Sequence, residues 1–204
     1  MGDLLPEERV LVADSVASRQ VDFATGRLLA RRLLRELGLP DRAIVSDADR
    51  VPIWPAGIVG SISHTDDACL VAVSDDRSLH GVGVDVEVDA PRSQRFFERI
   101  TTPAERGRIG PGIDGTRLAT RIFSIKEAVY KACYPTTREF WGFRDVEVEF
   151  DASSGRFRAR VPSSVAGRVE GLLRSRDDRV WTVAYWDERS DADSGAELAW
   201  EPGG

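Results

Sequence analysis

The segment Gly81-Val-Gly-Val-Asp-Val-Glu-Val-Asp89 alternates strictly between valine and a small or acidic residue. A period of two is that of a β-strand. Val82, Val84, Val86 and Val88 therefore share one face, and Gly81, Gly83, Asp85, Glu87 and Asp89 share the other. The valine face demands a core. The other face sets Asp85 and Glu87 roughly 6.5–7 Å apart along the strand, with bare backbone before them. Carboxylates that close repel unless a cation lies between them. Mg²⁺ is the usual hard cation for a few carboxylates plus phosphate oxygens and water. A half-exposed strand with a polar solvent face fits the same pattern.

Two helical patterns flank this strand. Residues 15–37 place Val16, Leu29, Leu33, Leu34 and Leu37 at apolar positions before Gly38 and Pro40. Arg27, Arg31 and Arg35 form a stripe on it that reads as a solvated face. The second long helix is expected over 116–134, closed by Pro135. Ile122, Ile125, Val129 and Ala132 form its buried stripe, and Ser124, Glu127 and Lys131 line another face. Shorter helices are expected at 92–100 and 104–108. Strands are expected at 58–64, 68–74, 81–88, 146–150, 157–161 and 180–185, with a loop around Trp54 and another over 110–115. Residues after about Asp187 are polar and Gly-rich and are expected to fray.

The chain writes positive charge almost entirely as arginine. Its only two lysines, Lys126 and Lys131, lie within Phe123-Ser-Ile-Lys-Glu-Ala-Val-Tyr-Lys131. A lysine is a flexible point charge suited to a phosphoryl oxygen. Glu127 and Lys131 are four apart and share a helix face, as any surface ion pair would. Gly60-Ser-Ile-Ser-His64 ends a strand with hydroxyls and one of two histidines, and His80 sits beside a turn with no role assigned to it. Glu127 would add a third carboxylate to Asp85 and Glu87, and the cations would meet a polyanionic substrate.

The 204 residues carry a net charge of −6, which argues against wholesale nucleic-acid binding. Cys69 and Cys133 have neither zinc nor disulfide spacing, which fits a reducing compartment. The N-terminal residues lack the basic and apolar regions of a signal peptide. No apolar run reaches bilayer length. The expectation from these features is a cytoplasmic chain with no membrane partner.

Four strings stand in order: Trp54-Pro55, Gly60-Ser-Ile-Ser-His64, Gly83-Val-Asp-Val-Glu87 and Phe123-Ser-Ile-Lys-Glu-Ala-Val-Tyr-Lys131. Together they resemble the signature of the 4′-phosphopantetheinyl transferases, in particular the Sfp/EntD-like single-chain group. The N-terminal Arg19, Phe23, Gly26, Arg27 and Arg31 fit that branch, and Phe123 replaces the tryptophan of many members. The resemblance spans about residues 15–150.

It implies an α+β fold, a pseudo-dimer of two similar subdomains, each a small antiparallel sheet packed on a long helix. The halves would be 1–90 and 91–187, with 188–204 a polar tail. It implies transfer of 4′-phosphopantetheine from coenzyme A to a serine of an acyl, aryl or peptidyl carrier protein, with release of adenosine 3′,5′-bisphosphate, in siderophore, nonribosomal peptide or polyketide synthesis. Asp85, Glu87 and Glu127 would hold Mg²⁺, or Mn²⁺ in its place. Glu127 would act as base and Lys131 at the leaving phosphate. Arg19, Arg27, Arg50 and His64 would bind the 3′-phosphate and nearby oxygens with Ser63 as a hydrogen-bond partner, and Lys126 would be a secondary phosphate contact. The chain would work as a monomer. Carrier docking would use the 109–117 loop or the Phe140–Phe143 aromatics, though core packing accounts equally for the aromatics. Two other readings keep parts of this pattern: a different Mg²⁺-dependent nucleotide phosphodiesterase, and a non-catalytic binder of carrier protein or coenzyme A.

Overall fold

The computed structural model describes residues 4–109, 115–162 and 164–187. The chain opens with a short helix, α1 (Pro6–Val10), and a long one, α2 (Ala17–Glu36). Gly38, at φ +77°, stops α2: its N–H donates to Arg35 O, and that of Leu39 donates to Leu34 O. A left-handed glycine closing the last carbonyls is the usual helix stop. The hairpin β1 (Val59–His64) and β2 (Cys69–Ser74) pairs antiparallel, from Val59 with Ser74 to His64 with Cys69. Ala30, Leu34 and Ile44 form the core under α2, with Trp54, Ile58, Ile62, Val71 and Val73 packed around them.

The second sheet runs in the order β3 (Leu79–Val88), β7 (Arg179–Asp187), β6 (Arg168–Arg176), β5 (Arg156–Arg160) and β4 (Glu147–Phe150), every pair antiparallel. Between β3 and β4 come α3 (Gln94–Ile100), α4 (Pro103–Arg108) and the 23-residue α5 (Gly115–Thr137). Ile125, Val129, Ala132 and Cys133 of α5 lie buried against Val148, Phe157, Val169, Leu173, Val180 and Ala184 of the sheet. Each fully buried Val, Leu or Ile contributes about 1.5–3 kcal/mol. The architecture is α+β, with one long helix on each of two antiparallel sheets.

Three expectations change. Two of the three arginines in the α2 stripe are not on a solvated face, and only Arg35 is exposed as expected. Arg27 and Arg31 are 5% and 6% exposed. Arg31 donates to Glu8 Oε2 at 2.5 Å, and Arg27 donates to Ile44 O at 2.7 Å. The 39–46 segment and α1 fold over that side of the helix and bring their acceptors with them. Next, α5 does not stop at Pro135 but runs to Thr137. So close to a C-terminus a proline forfeits a single hydrogen bond. Finally, β6 carries no clean alternation and escaped the sequence reading. Gly171 fills one inward slot, and Leu172 and Leu173 are both buried.

The strand β3 is buried on both faces. Val82, Val84 and Val86 are buried as the alternation requires, but so are Gly81, Gly83 and Asp85. The glycines are there for contact. A Cβ on Gly81 would stand 1.9 Å from Ala132 O, and one on Gly83 would stand 1.9 Å from Ala128 O. Backbone meets backbone, so α5 lies directly on β3.

Candidate active site

That close approach decides what faces Asp85. Lys131 Nζ donates to Asp85 Oδ1 at 2.7 Å and to Ser63 Oγ at 3.1 Å. Ser63 Oγ donates to the same carboxylate oxygen at 3.1 Å. The serine belongs to β1, the acid to β3 and the lysine to α5, so one hydrogen-bonded knot gathers three of the four sequence motifs.

Ser63 and Ser61 also account for how the sheets join. Val84 N–H donates to Ser61 Oγ at 3.1 Å, and Val86 N–H donates to Ser63 Oγ at 3.4 Å. Two serines two residues apart match two amides two residues apart, because both chains are extended. The hydroxyls supply what a neighbouring backbone would give to the free edge of β3.

The acidic end of the knot is electrostatically tense. Burial pushes the Glu127 carboxyl above its ordinary range, and Asp85 and Glu87 push the same way against the pull of Lys131. Glu87 is raised by burial and Asp85 as well, opposed by Arg92 and Lys131. Arg92 donates to Glu87 Oε2 at 2.8 Å. Asp85 Oδ2 is buried and has no hydrogen-bond partner. A buried carboxylate oxygen without a donor is costly and suits a cation. With Glu87 and Glu127, whose carboxyls couple electrostatically to Asp85, that orphaned oxygen offers the hard-oxygen chemistry that suits Mg²⁺. Among the described residues, no three acidic, histidine or cysteine side chains are gathered closely enough to form a finished metal cage. The cation at Asp85 is the Lys131 ammonium.

A cleft of about 560 Å³ opens between α2 and the end of β1. It is lined by Arg19, Arg27, Arg50 and His64, together with Asp22 and Asp47. Arg19 Nη1 donates to His64 Nε2 at 2.9 Å. Because a guanidinium can only donate, the imidazole proton sits on Nδ1, which faces Asp22 Oδ2 at 4.0 Å. Arg27 lies under the cleft, its guanidinium 4.1 Å from the Phe23 ring centroid. Burial lowers its pKa to about 10, still cationic at neutral pH. A second cleft of about 300 Å³ continues past Arg50, Pro52 and Ile62 to Ser61, Tyr130, Lys131 and Tyr134. A pocket of about 130 Å³ reaches Glu127 from the other side, walled by Tyr130, Phe140, Trp141 and Phe143. Phe140 is 85% exposed there, whereas Trp141 belongs to the core.

The structure thus gathers Arg19, Arg27, Arg50 and His64 on one cleft, and Ser63, Asp85 and Lys131 in one knot that Glu127 and Glu87 flank electrostatically. It takes Lys126 out. The Lys126 ammonium is buried and donates to Ile100 O, Glu105 Oε2 and Phe143 O at 2.8, 2.9 and 2.7 Å. All three of its protons are used, so it is no phosphate contact. Glu105, its buried partner, also accepts from Thr102 N and Val148 N. Asp22, Asp47 and Arg92 were missed by the sequence reading. Asp22 had a visible signal, standing one turn from Arg19 on the same helix. His80 packs at a tilt against Trp186, with ring centroids 4.9 Å apart. Residues 110–114, part of the expected docking loop, and the tail 188–204 lie outside the described residues.

Residues 7–74 match the family model of the 4′-phosphopantetheinyl transferase N-terminal domain, and residues 81–186 match that of the 4′-phosphopantetheinyl transferase superfamily. The chain is 35% identical over 187 residues to the 4′-phosphopantetheinyl transferase PptT of Mycobacterium tuberculosis, covering 88% of this chain and 81% of the relative. It is 35% identical over 150 residues to Npt of Nocardia iowensis, covering 74% of this chain and 68% of that protein. Enterobactin synthase component D of Escherichia coli is 32% identical over 133 residues, 64% of this chain and 61% of its own length. No helix among the described residues is long and apolar enough to cross a membrane.

Proposed function

Because this chain belongs to the 4′-phosphopantetheinyl transferase superfamily, we propose that it moves 4′-phosphopantetheine from coenzyme A onto the hydroxyl of a carrier-protein serine and releases adenosine 3′,5′-bisphosphate. The observation that carries the residue assignment is the knot of Lys131, Asp85 and Ser63, whose lysine lines the smaller cleft that continues from the larger one. In this reading Arg19, Arg27, Arg50 and His64 hold the 3′-phosphate and its neighbours in the larger cleft. Four cationic or hydrogen-bonding groups on one wall suit a polyanion and not a neutral nucleoside. The neutral pantetheine arm takes the aromatic pocket beyond Glu127, whose walls offer apolar surface.

The serine Oγ attacks the phosphorus that carries the pantetheine, the bridging P–O bond breaks, and the adenosine bisphosphate leaves with that oxygen. Glu127 is the base for the serine proton. Its raised pKa suits the task, because a carboxylate that is too weak a base takes no proton. Lys131 has three N–H donors and spends two on Asp85 and Ser63, so the third is available to the leaving phosphate oxygen. Asp85, Glu87 and Glu127 would hold Mg²⁺ or Mn²⁺, which neutralises phosphoryl charge when bound. Positioning and electrostatics carry most of phosphoryl transfer. The enzyme works as a single chain in the cytoplasm on carriers of secondary metabolism, siderophore synthesis included, with Phe140 at the rim where the carrier arrives.

The test is mass spectrometry of a panel of apo-carriers incubated with the protein, coenzyme A and Mg²⁺. One phosphopantetheine mass on the carrier serine is the expected result. No gain on any carrier, with unmodified coenzyme A recovered, would overturn it.

A further inference from the structure

Two arginines with left-handed backbone lie in segments that meet across the halves of the molecule. Arg50, φ 65°, lies in the turn between Asp47 and Val51, and Arg138, φ 56°, follows the end of α5. That position after a helix is ordinarily taken by glycine or asparagine. A backbone outlier that persists is held by its surroundings, and the Arg138 side chain is held closely. Its Nη1 meets Asp47 Oδ2 at 2.6 Å and Asp49 Oδ2 at 3.3 Å. The guanidinium lies over the Tyr134 ring, 5.8 Å from its centroid.

The Asp47 turn is built around the other oxygen of the same carboxylate. Asp47 Oδ1 accepts from Asp49 N and Val51 N at 3.0 and 2.9 Å, and Arg50 N–H donates to Asp47 O at 3.0 Å. Arg50 itself is exposed and lines both the large cleft and its extension toward Lys131. Two carboxylates thus flank the one exposed arginine of the turn. Without a second cation, two carboxylates of its own turn, within three residues of Arg50 in the chain, are left for it to fold back on.

We propose that Arg138 is a positioning residue: it clamps the Asp47–Val51 turn from the opposite half, neutralises Asp47 and Asp49, and so keeps Arg50 turned toward the phosphates of coenzyme A. The inference rests on the reading of the clefts as the coenzyme A site. It assigns the residue after α5 to substrate affinity and leaves the chemical step to the knot around Asp85.

The experiment compares wild type, Arg138→Ala, Arg138→Gly, Arg50→Ala and the double variant Arg50→Ala/Arg138→Ala in steady-state kinetics, together with amide hydrogen exchange at Asp49 and Val51. Arg138→Ala is expected to raise the coenzyme A KM by roughly five- to tenfold, the size of one ordinary hydrogen bond and less than the full loss of the Arg50 charge, with kcat within about twofold. The double variant is expected to be no worse than Arg50→Ala alone, because the clamp acts through that side chain. Exchange at Val51 should quicken. Arg138→Gly removes the fork but suits the left-handed backbone, so it should match Arg138→Ala in KM while melting no lower than wild type. Additive KM effects, or unchanged Val51 exchange in Arg138→Ala, would overturn the clamp and leave the transferase reading standing. If Arg50→Ala leaves the coenzyme A KM unaltered, the assignment of the cleft falls and the clamp falls with it.

Discussion

Lys126 and Lys131 are five residues apart on one helix, which puts them about 140° apart around its axis. They cannot serve the same site. Lys131 shares the face of Glu127 and meets Asp85. Lys126 turns inward to a buried carboxylate and two carbonyls. Removing one member of a buried pair strands the other charge. Lys126→Met should therefore cost about 3–5 kcal/mol in urea unfolding. Adding Glu105→Gln should restore part of that loss, since the stranded charge goes with it. Glu127 behaves in the opposite way. Burial holds its carboxyl above the ordinary range, so its contribution to stability is full below the unfolded pKa and is lost as pH rises through the folded value. At neutral pH the ionised form is a liability without a bound cation. Glu127→Gln should melt at or above the wild-type temperature in chelator and lose at least about 100-fold in transfer rate. A variant that keeps near-normal transfer would remove Glu127 as the base.

At the scale of elements, β3 and α5 make the site because glycine lets their backbones touch. Gly83→Ala would place a methyl 1.9 Å from Ala128 O and 2.5 Å from Ala132 N, and neither atom can yield unless the helix lifts. The expected loss is about 3 kcal/mol or more by chemical denaturation. Gly107→Ala, whose Cβ would meet nothing within 4 Å, is the neutral control. The alternation of Gly81–Asp89 made the strand and its valine face legible, because a period of two sustained over nine residues belongs to an extended chain and not to a helix. It did not reveal that the glycines were a landing surface for a helix. Small residues on a strand look alike whether they face water or a backbone. β6 was illegible for a related reason: Gly171 sits 1.9 Å, at its would-be Cβ, from Val183 O, so a buried position bears no apolar side chain.

Across the whole molecule, the first half is not a free-standing unit. Although β3 falls within the expected 1–90 half, it pairs with β7 in the second sheet; the hairpin is joined to it through Ser61 and Ser63, the β1–β2 turn is tied by Asp67 to Arg179 of β7, and the Asp47 turn is tied to Arg138. Far-UV circular dichroism should report one thermal transition coincident with that of tryptophan fluorescence, since Trp54 lies in the first half and Trp141, Trp181 and Trp186 in the second. An early, separate loss of the Trp54 signal would contradict this. The residues of the candidate site were readable from the chain because their types and order match what a phosphoryl group and a hard cation require. Their partners were not. Whether an arginine on α2 is a wet surface charge or a buried strut depends on Glu8 and Ile44, and whether a lysine touches substrate depends on Glu105. Those contacts close over tens of residues, where only packing of the folded chain sets the distance.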